Sequence, residues 1–372
     1  MNFIDYIQWR GDLSLVQSPF NEVDNLILSY LSYVNLDGIA PGPGEGQMTV
    51  KEISDCFFSI YMEEDLKRDK SFIRMTPYMM KDMADSRRFG GAVIQNYVNK
   101  IEEDAVLQFC ALEILLEDGT SYISFRGTDD TIVGWKEDFQ LCNGVVPAEK
   151  EAAAYLNLVG GQSKRPLRVG GHSKGGNLAI YASVDCDETV QEKILEIFNN
   201  DGPGFAKEVL DTPALARMCS KMKRIIPESS VIGMLLEHVT EPVIIKSSQK
   251  GILQHDGFSW EVLGRSFVRC EERSNMSRVF DKTLRGWIDG MEPCQRDDFI
   301  NALFSVLEAP GVMTLTELQD GGVKNIRAML RQMESLTPES RKIVEELLKG
   351  FISNWTEYFT NRDLMDVPWH RS

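Results

Sequence analysis

Hydrophobic positions in the middle of the chain fall into short runs that are separated by segments with helical spacing. Runs rich in β-branched and aromatic residues predict strands. The predicted strands cover residues 105–116, 120–125, 166–169, 194–198, 223–226 and 242–247, and the predicted helices cover 148–158 and 176–184. Asp118 and Gly119, between the first two runs, predict a β-hairpin. Strands that alternate with helices predict an α/β protein whose mostly parallel central sheet is flanked by helices.

Both ends of the chain have a helical pattern instead. Apolar residues between Val23 and Leu31 recur at helical spacing, whereas residues 40–46, APGPGEG, are typical of an irregular loop. After about residue 281 only helical spacing remains. We therefore predict three parts, which are an N-terminal helical and loop cap region at 1–99, a core at 100–280, and a C-terminal helical appendage at 281–372 that packs on the core.

The charge balance excludes several classes of partner. The 372 residues include 40 Lys and Arg and 56 Asp and Glu, which gives a formal net charge of −16. Nucleic-acid binding needs clustered cations, and so does binding to anionic lipid, but no basic patch is evident. No apolar stretch approaches the roughly 18 residues of a membrane span. We expect no nucleic-acid partner and no transmembrane segment, and the sequence leaves the oligomeric state open.

The cysteines and the first residues of the chain indicate in which cellular compartment the protein is located. The seven cysteines are scattered and include no C-x-x-C pair, which predicts reduced thiols rather than disulfides. No Cys/His cluster has zinc spacing. Asp5, Arg10 and Asp12 stand where a secretory signal peptide would be apolar. We expect a cytoplasmic protein without a structural metal or other cofactor.

One stretch carries a recognisable chemical motif, Val169-Gly-Gly-His-Ser-Lys-Gly-Gly-Asn-Leu-Ala. It contains G-x-S-x-G between a predicted strand and a predicted helix, an arrangement that presents a serine hydroxyl on a sharp turn. Gly171 and Gly175 lie two positions to either side of Ser173, where a Cβ atom would clash. A P-loop is excluded, because its glycine and Gly-Lys-[ST] spacing is missing. Ser173 is therefore the predicted nucleophile.

A second motif, Phe125-Arg-Gly-Thr128, ends the strand at 120–125, and Trp135 and Asp138 follow it. Together with G-x-S-x-G, these residues resemble the class 3 lipases of the lipase-like α/β-hydrolase superfamily. The segments WRGDLSLVQSPFNEVDNLILSYLSYV and KSSQKGILQHDGFSWEV are similar to the Mbeg1-like bacterial family, a domain of unknown function. The resemblance implies an α/β-hydrolase fold and oxyanion-hole N–H groups from Thr128 and Lys174.

The general base must be one of four histidines. In the fold that the resemblance implies, the chain order is nucleophile, acid, histidine, which removes His172. His370 lies two residues from the end of the chain, where fraying is common. His238 follows an apolar stretch that suits a structural role. His255 lies in a loop after the last predicted strand, and it is the predicted base.

The acid is less constrained by the sequence. Asp201 directly follows the strand at 194–198 in a turn that would expose a carboxylate at the sheet edge. Class 3 lipases use the end of the following strand, where this chain has Glu228, Ser229 and Ser230 and no Asp. We favour Asp201, with Glu228 as the alternative. A purely local role for Asp201, in an Asx turn, is the competing interpretation.

These residues predict a serine esterase or lipase-type hydrolase in which Ser173, Asp201 and His255 act on a small acyl or ester substrate, with lipids among the candidates. A solvated Lys174 beside the nucleophile is one expectation for that side chain, and selection of an anionic head group is another. Two alternatives stay open. One is a hydrolase-fold binding or scaffold protein without catalysis, and the other is a peptidase or acyltransferase with the same triad.

Overall fold

A computed structural model describes the protein at residues 1–68, 73–102, 104–129, 132–206, 212–274, 293–313 and 321–338, with single positions near these ranges. Contacts between residues divide the chain into two units, Met1–Met291 and Glu292–Ser372, which are described separately below. The three-part division made from the sequence stays a prediction.

Among its described residues, the first unit is built on a sheet of eight strands that follow one another in chain order. Neighbouring strands from β1 to β4 are antiparallel, and those from β4 to β8 are parallel. This mostly parallel sheet, flanked by helices, confirms the predicted α/β class. The strands are β1 (Met48–Thr49), β2 (Val93–Glu102), β3 (Leu107–Leu115), β4 (Ser121–Phe125), β5 (Leu167–His172), β6 (Ile194–Asn200), β7 (Met222–Pro227) and β8 (Val243–Ile245).

A separate pair of short antiparallel strands, β9 (Val262–Leu263) and β10 (Ser266–Phe267), follows the main sheet. The α-helices in the described part of the first unit are α1 (Phe3–Arg10), α2 (Glu22–Leu31), α3 (Val50–Ile60), α4 (Glu63–Arg68), α5 (Thr76–Asp85), α6 (Ile132–Gln140), α7 (Pro147–Gln162), α8 (Lys174–Asp185), α9 (Glu188–Gln191) and α10 (Pro213–Met218). A search of the described helices finds none long and apolar enough to cross a membrane.

The two faces of the sheet pack into two different hydrophobic cores. Alternation along β3 shows this directly, because successive side chains of a strand point to opposite faces. Leu112 and Ile114 join a core with the apolar side chains of α1 and α2, whereas Phe109 and Ala111 join a core with those of α7 and α8. The N-terminal helices therefore form one layer of the fold and the crossover helices form the other.

A buried ion pair anchors the N-terminal layer. Arg88 donates through Nε to Asp24 Oδ1 at 2.7 Å and through Nη2 to Asp24 Oδ2, and both side chains are fully buried. Arg88 also donates to the backbone carbonyls of Leu13 and Ser18. A buried charge is stable only with such a complete set of partners. The pair fixes α2, whose C-terminal end reaches the site described below.

Strand β2 has no counterpart in the sequence prediction, which assigned helix and loop to residues 1–99. Its register shifts between Gln95 and Val98, and Asn96 adopts φ 56° at that irregularity. An extra residue in a strand interrupts the alternation of apolar and polar positions. The irregularity therefore hides β2 from an analysis of periodicity.

The second unit contains α11 (Pro293–Glu308) and α12 (Gly322–Met333) among its described residues. Leu303 and Phe304 of α11 are buried, as the helical spacing of this segment predicts. The apolar positions from Leu347 to Phe351, which also have helical spacing, lie outside the described residues.

Glu149 of α7 leads to a prediction about stability. Its buried Oε2 accepts a hydrogen bond from the Val146 N–H at 3.0 Å, and burial raises the pKa of the carboxyl group from 4.5 to about 8. Between these two pH values the folded protein binds a proton that the unfolded chain has released. The contribution of Glu149 to the free energy of unfolding therefore falls as the pH rises, by at most about 1.4 kcal/mol per pH unit.

Glu149→Gln should flatten this slope, because the neutral amide has no proton to lose. Chemical unfolding at pH 5, 6, 7 and 8 measures the slope, and Glu117→Gln at an exposed position is the matched control. An unchanged slope in the Glu149→Gln protein would contradict the assignment.

Candidate active site

Ser173 occupies a sharp turn between β5 and α8. Strand β5 ends at His172 and α8 begins at Lys174, so Ser173 is the single residue between them. Its backbone has φ 57° and ψ −135°, a conformation that few residues other than glycine adopt. The side chain is 7% exposed. A non-glycine residue kept in this geometry indicates a site where backbone strain serves a purpose.

Two glycines make room for this turn. A Cβ atom on Gly171 would lie 2.3 Å from the backbone of Gly175, and one on Gly175 would lie 2.1 Å from the Phe125 carbonyl oxygen. Both distances are far below van der Waals contact. The backbones of two strands and a helix therefore meet here without space for a side chain at Gly171 or Gly175.

Asp201 lies directly after β6 and is fully buried. Its Oδ2 is 2.7 Å from His255 Nδ1, and its Oδ1 accepts a hydrogen bond from Ser230 Oγ. The turn itself is closed by Asn199, whose Oδ1 accepts from the Gly202 N–H at 2.7 Å. Asp201 is thus directed at His255, and a neighbouring residue supplies the turn hydrogen bond that was the competing explanation for it.

His255 ends a short 3-10 helix, Gly251–His255, in the loop after β8. Its side chain is 20% exposed, in contrast to that of Asp201. Because a carboxylate accepts from Nδ1, the hydrogen resides on Nδ1 and the lone pair on Nε2. The ring is therefore in the tautomer that a general base requires.

The preceding residue, Gln254, fixes the position of this loop. Its Oε1 accepts from the Ser229 N–H at 2.7 Å, and its carbonyl accepts from the Trp260 indole N–H at 2.8 Å. The loop with His255 is thereby connected to the segment after β7, which also provides Ser230. The acid and the base thus share one supporting network.

His172 connects the turn at Ser173 to the loop of His255. The two imidazole centroids lie 4.6 Å apart, and His172 Nε2 is 2.8 Å from the backbone oxygen of His255. Since a carbonyl oxygen only accepts, Nε2 carries the hydrogen, and Nδ1 accepts from the Tyr33 hydroxyl at 3.1 Å. Burial holds the pKa of His172 well below its usual value, so the ring is neutral.

Two tyrosines from the N-terminal layer complete this support. Tyr30 accepts from the Gly257 N–H at 2.6 Å, and Tyr33 accepts from the Gly127 N–H. The helical spacing between Val23 and Leu31 predicts a buried position for Tyr30, and neither of the two chemical motifs in the sequence includes Tyr33. The available signal was their spacing near the end of a helix, because a buried tyrosine needs a hydrogen-bond partner for its hydroxyl. The partners themselves lie far away in the sequence.

The Phe125–Thr128 segment lies beside the turn at Ser173. Strands β4 and β5 are parallel neighbours, and Phe125 is paired with Gly171. A Cβ atom on Gly127 would be 3.0 Å from Ser173 Cβ, which brings this backbone into contact with the serine. Thr128 is buried, and its Oγ1 donates to Asp138 Oδ2 at 2.5 Å.

The side chain of Lys174 overturns an expectation made from the sequence. Neither a solvated lysine nor one available to an anionic head group is possible, because the side chain is 0% exposed. Its Nζ donates to Glu137 Oε2 at 2.7 Å and to the Gln108 carbonyl oxygen at 3.2 Å. The backbone N–H of Lys174, in contrast, begins α8 next to Ser173, where the helix dipole favours negative charge.

The remaining candidates lie elsewhere or outside the described residues. Glu228 Oε2 accepts from Cys270 Sγ at 3.7 Å, on the segment after β7. His238 lies between β7 and β8. His370 and the side chain of Trp135 fall outside the described part of the chain. Within that part, no group of three His, Cys, Asp or Glu side chains is arranged to hold a metal ion.

Chemically, the arrangement combines a strained serine, a histidine with Nε2 as its basic nitrogen, and a buried carboxylate on Nδ1. Around it, the pKa values of Asp138 and Asp256 are both raised to about 6 by burial, and both groups face His255. Such a set can deprotonate a hydroxyl and stabilise the resulting imidazolium.

Comparisons with known proteins give a family match and a distant structural likeness. The model of the family described as Mbeg1-like matches residues 83–305, which is more than half of the chain. No curated protein matches the sequence. Among solved structures, a native Rhizomucor miehei lipase propeptide complex is similar with a TM-score of 0.36 and 16% identity, over 57% of this chain and 83% of that one.

The contact between Asp201 and His255 predicts a distinct spectroscopic signature. A strong Nδ1–H···O hydrogen bond to a buried carboxylate moves the imidazole proton signal far downfield in proton NMR. Asp201→Asn should remove this signal or move it strongly upfield, because the charged acceptor is lost. Glu228→Gln is the matched control and should leave it unchanged. A signal that responds to Glu228→Gln and not to Asp201→Asn would refute this geometry.

Proposed function

Since the chain belongs to the Mbeg1-like family, we propose that it is a serine hydrolase that cleaves a carboxylic ester or a related acyl bond through an acyl-enzyme. The observation that carries the proposal is the 2.7 Å contact between Asp201 Oδ2 and His255 Nδ1, at a turn where the Asn200 carbonyl accepts from the Ser173 N–H at 3.0 Å. A local turn or a packing role would not require an acid, a histidine and a strained serine from three separate strand ends.

In the proposed reaction, Ser173 Oγ attacks the acyl carbonyl carbon while His255 Nε2 accepts its proton. The tetrahedral intermediate then collapses as the imidazolium donates that proton to the leaving alcohol. Water attacks the acyl-enzyme in the second half, again with His255 as the base, and releases the acid and free Ser173. Asp201 stabilises the imidazolium in both halves and keeps the proton on Nδ1.

The oxyanion would be held by the backbone N–H groups of Thr128 and Lys174. Support for this comes from the contact of the Phe125–Thr128 segment with Ser173 and from the place of Lys174 at the start of α8. Each such donor is worth roughly 10²–10³ in rate in other serine hydrolases. Esters, including lipid esters, are the proposed substrates, and the buried side chain of Lys174 takes no part in selecting their head group.

We also propose a cytoplasmic location. It rests on the sequence alone, through the odd and scattered set of seven cysteines. Cell fractionation with a specific antibody tests it, and recovery of the protein outside the cytoplasmic fraction would refute it.

The first test of the proposed function is covalent labelling with a fluorophosphonate probe. The wild-type protein should be labelled at Ser173, as located by peptide mass spectrometry. Ser173→Ala should abolish labelling and lower the hydrolysis of a p-nitrophenyl ester by several powers of ten, because no other nucleophile replaces the serine. A folded wild-type protein that stays unlabelled would instead support a binding or scaffold role.

A second test compares the two candidate acids. Asp201→Asn should lower kcat by about 10⁴-fold with KM little changed, because an asparagine stabilises the wrong imidazole tautomer. Glu228→Gln should keep kcat within about twofold, since its side chain contacts Cys270 rather than His255. The reverse ranking of these two variants would move the acid to Glu228.

A further inference from the structure

A buried lysine links the two sides of the candidate oxyanion hole. Lys174 belongs to α8, yet its Nζ reaches α6, where it donates to Glu137 Oε2 at 2.7 Å and lies 3.9 Å from Asp138 Oδ1. Both Lys174 and Glu137 are completely buried. Such a buried ion pair carries a large desolvation cost, so its retention next to a nucleophile calls for an explanation beyond stability.

Glu137 is fixed independently of the lysine. Its Oε1 accepts from the Ala148 N–H at 3.0 Å, and its Oε2 accepts from the Gln108 N–H at 3.2 Å. Lys174 Nζ makes a further hydrogen bond to the Gln108 carbonyl at 3.2 Å. The ammonium group is thus held at one point between α6 and β3, and it is not free to move to solvent.

Asp138 lies between this ammonium group and Thr128. One carboxylate oxygen is 3.9 Å from Lys174 Nζ, and the other accepts from Thr128 Oγ1 at 2.5 Å. Glu137 and His255 also face it, and Tyr33 adds an uncharged hydroxyl from the N-terminal layer. The positive charge of Lys174 therefore favours the ionised form of Asp138, whereas the negative charge of Glu137 disfavours it.

We propose that the Lys174 side chain is a positioning group that keeps Asp138 ionised, so that Asp138 holds Thr128 in line with the backbone N–H of Lys174 at the oxyanion hole. This inference rests on the proposed hydrolase function. In this arrangement Lys174 supplies one oxyanion donor through its backbone N–H. Its side chain acts through Asp138 to orient Thr128, which supplies the second donor.

The charge of Asp138 is sensitive to its surroundings. Burial raises the pKa of its carboxyl group to about 6, Lys174 lowers that pKa, and Glu137 raises it. A protonated Asp138 loses its attraction to the ammonium group and accepts a weaker hydrogen bond from Thr128. Alignment of the two donors should therefore weaken as the pH falls through the pKa of Asp138.

Two substitutions should move this titration in opposite directions. Lys174→Met keeps the backbone N–H and removes the cation, so the Asp138 titration should move to higher pH by about 1 unit. Glu137→Gln keeps the shape and removes a like charge, so the titration should move to lower pH. Carbon-13 NMR of labelled aspartate measures both shifts, with the signal identified by its loss in Asp138→Asn.

The labelling rate of Ser173 by fluorophosphonate, followed against pH, supplies the functional readout. The acid limb is the pH range in which this rate falls as the solution becomes more acidic. Its midpoint should move to higher pH in Lys174→Met and to lower pH in Glu137→Gln, by the same amounts as the NMR midpoints. Lys193→Met is the control for loss of a lysine, because Lys193 Nζ donates to the carbonyls of Gly160 and Ser163 and faces neither acid. If Lys174 had a purely structural role, its substitution would lower stability, but the acid limbs of the Lys174→Met and Glu137→Gln proteins would not move in opposite directions.

The outcomes separate the inference from the function on which it rests. The proposed role of Lys174 would be wrong if the Asp138 midpoints stayed fixed or moved in the same direction in the two variants. It would also be wrong if the midpoints shifted while the acid limbs of labelling stayed unchanged. If Lys174→Met does not fold, Lys174→Gln decides in its place, because it also removes the cation and should move the Asp138 midpoint and the acid limb to higher pH. A wild-type protein that is never labelled would instead refute the proposed function, whatever the titrations show.

Discussion

The close approach of β4, β5 and the start of α8 is the constraint on which the rest of this site depends. Strand β5 must pass Phe125 with Gly171 beside it, and α8 must begin so near that Gly175 meets the Phe125 carbonyl. With no side chain between them, three backbone segments converge on Ser173 and force φ to 57°. The strain is sustained because parallel pairing on both sides of β5 fixes the strand as far as the turn.

Buried polar groups around this constraint are paired across layers of the fold. Tyr30 of the N-terminal layer accepts from the Gly257 N–H in the loop after His255, and Tyr33 accepts from the Gly127 N–H. Both hydroxyls also contact the ring of His172. Burying hydroxyls and an imidazole is favourable only if each has a partner, and here Tyr30 and Tyr33 lie 142 and 139 residues from His172 in the sequence. The N-terminal helices therefore contribute to the geometry of the site as well as to the core.

The proposed acid, Asp201, is held by contacts with two other segments. Asp201 leaves β6 and meets His255, while Ser230, after β7, donates to its second oxygen. In class 3 lipases, which this chain resembles, the acid follows the strand that corresponds to β7. Here that strand end provides a hydroxyl that supports an acid on the neighbouring strand, and Glu228 contacts Cys270 instead.

The sequence by itself determined the elements with strong local signals. Alternating strands and helices predicted the α/β class, and the glycine spacing around Ser173 predicted the turn, because backbone sterics require glycine there whatever the rest of the chain does. Strand β2 was not predicted, because its bulge breaks the alternation of apolar and polar residues. The tertiary structure decided what depends on contacts between distant segments. It directed Asp201 at His255, placed Tyr33 against His172, and buried Lys174 beside Glu137. A side chain's partners and exposure are set by the folding of the whole chain, and no local pattern encodes them.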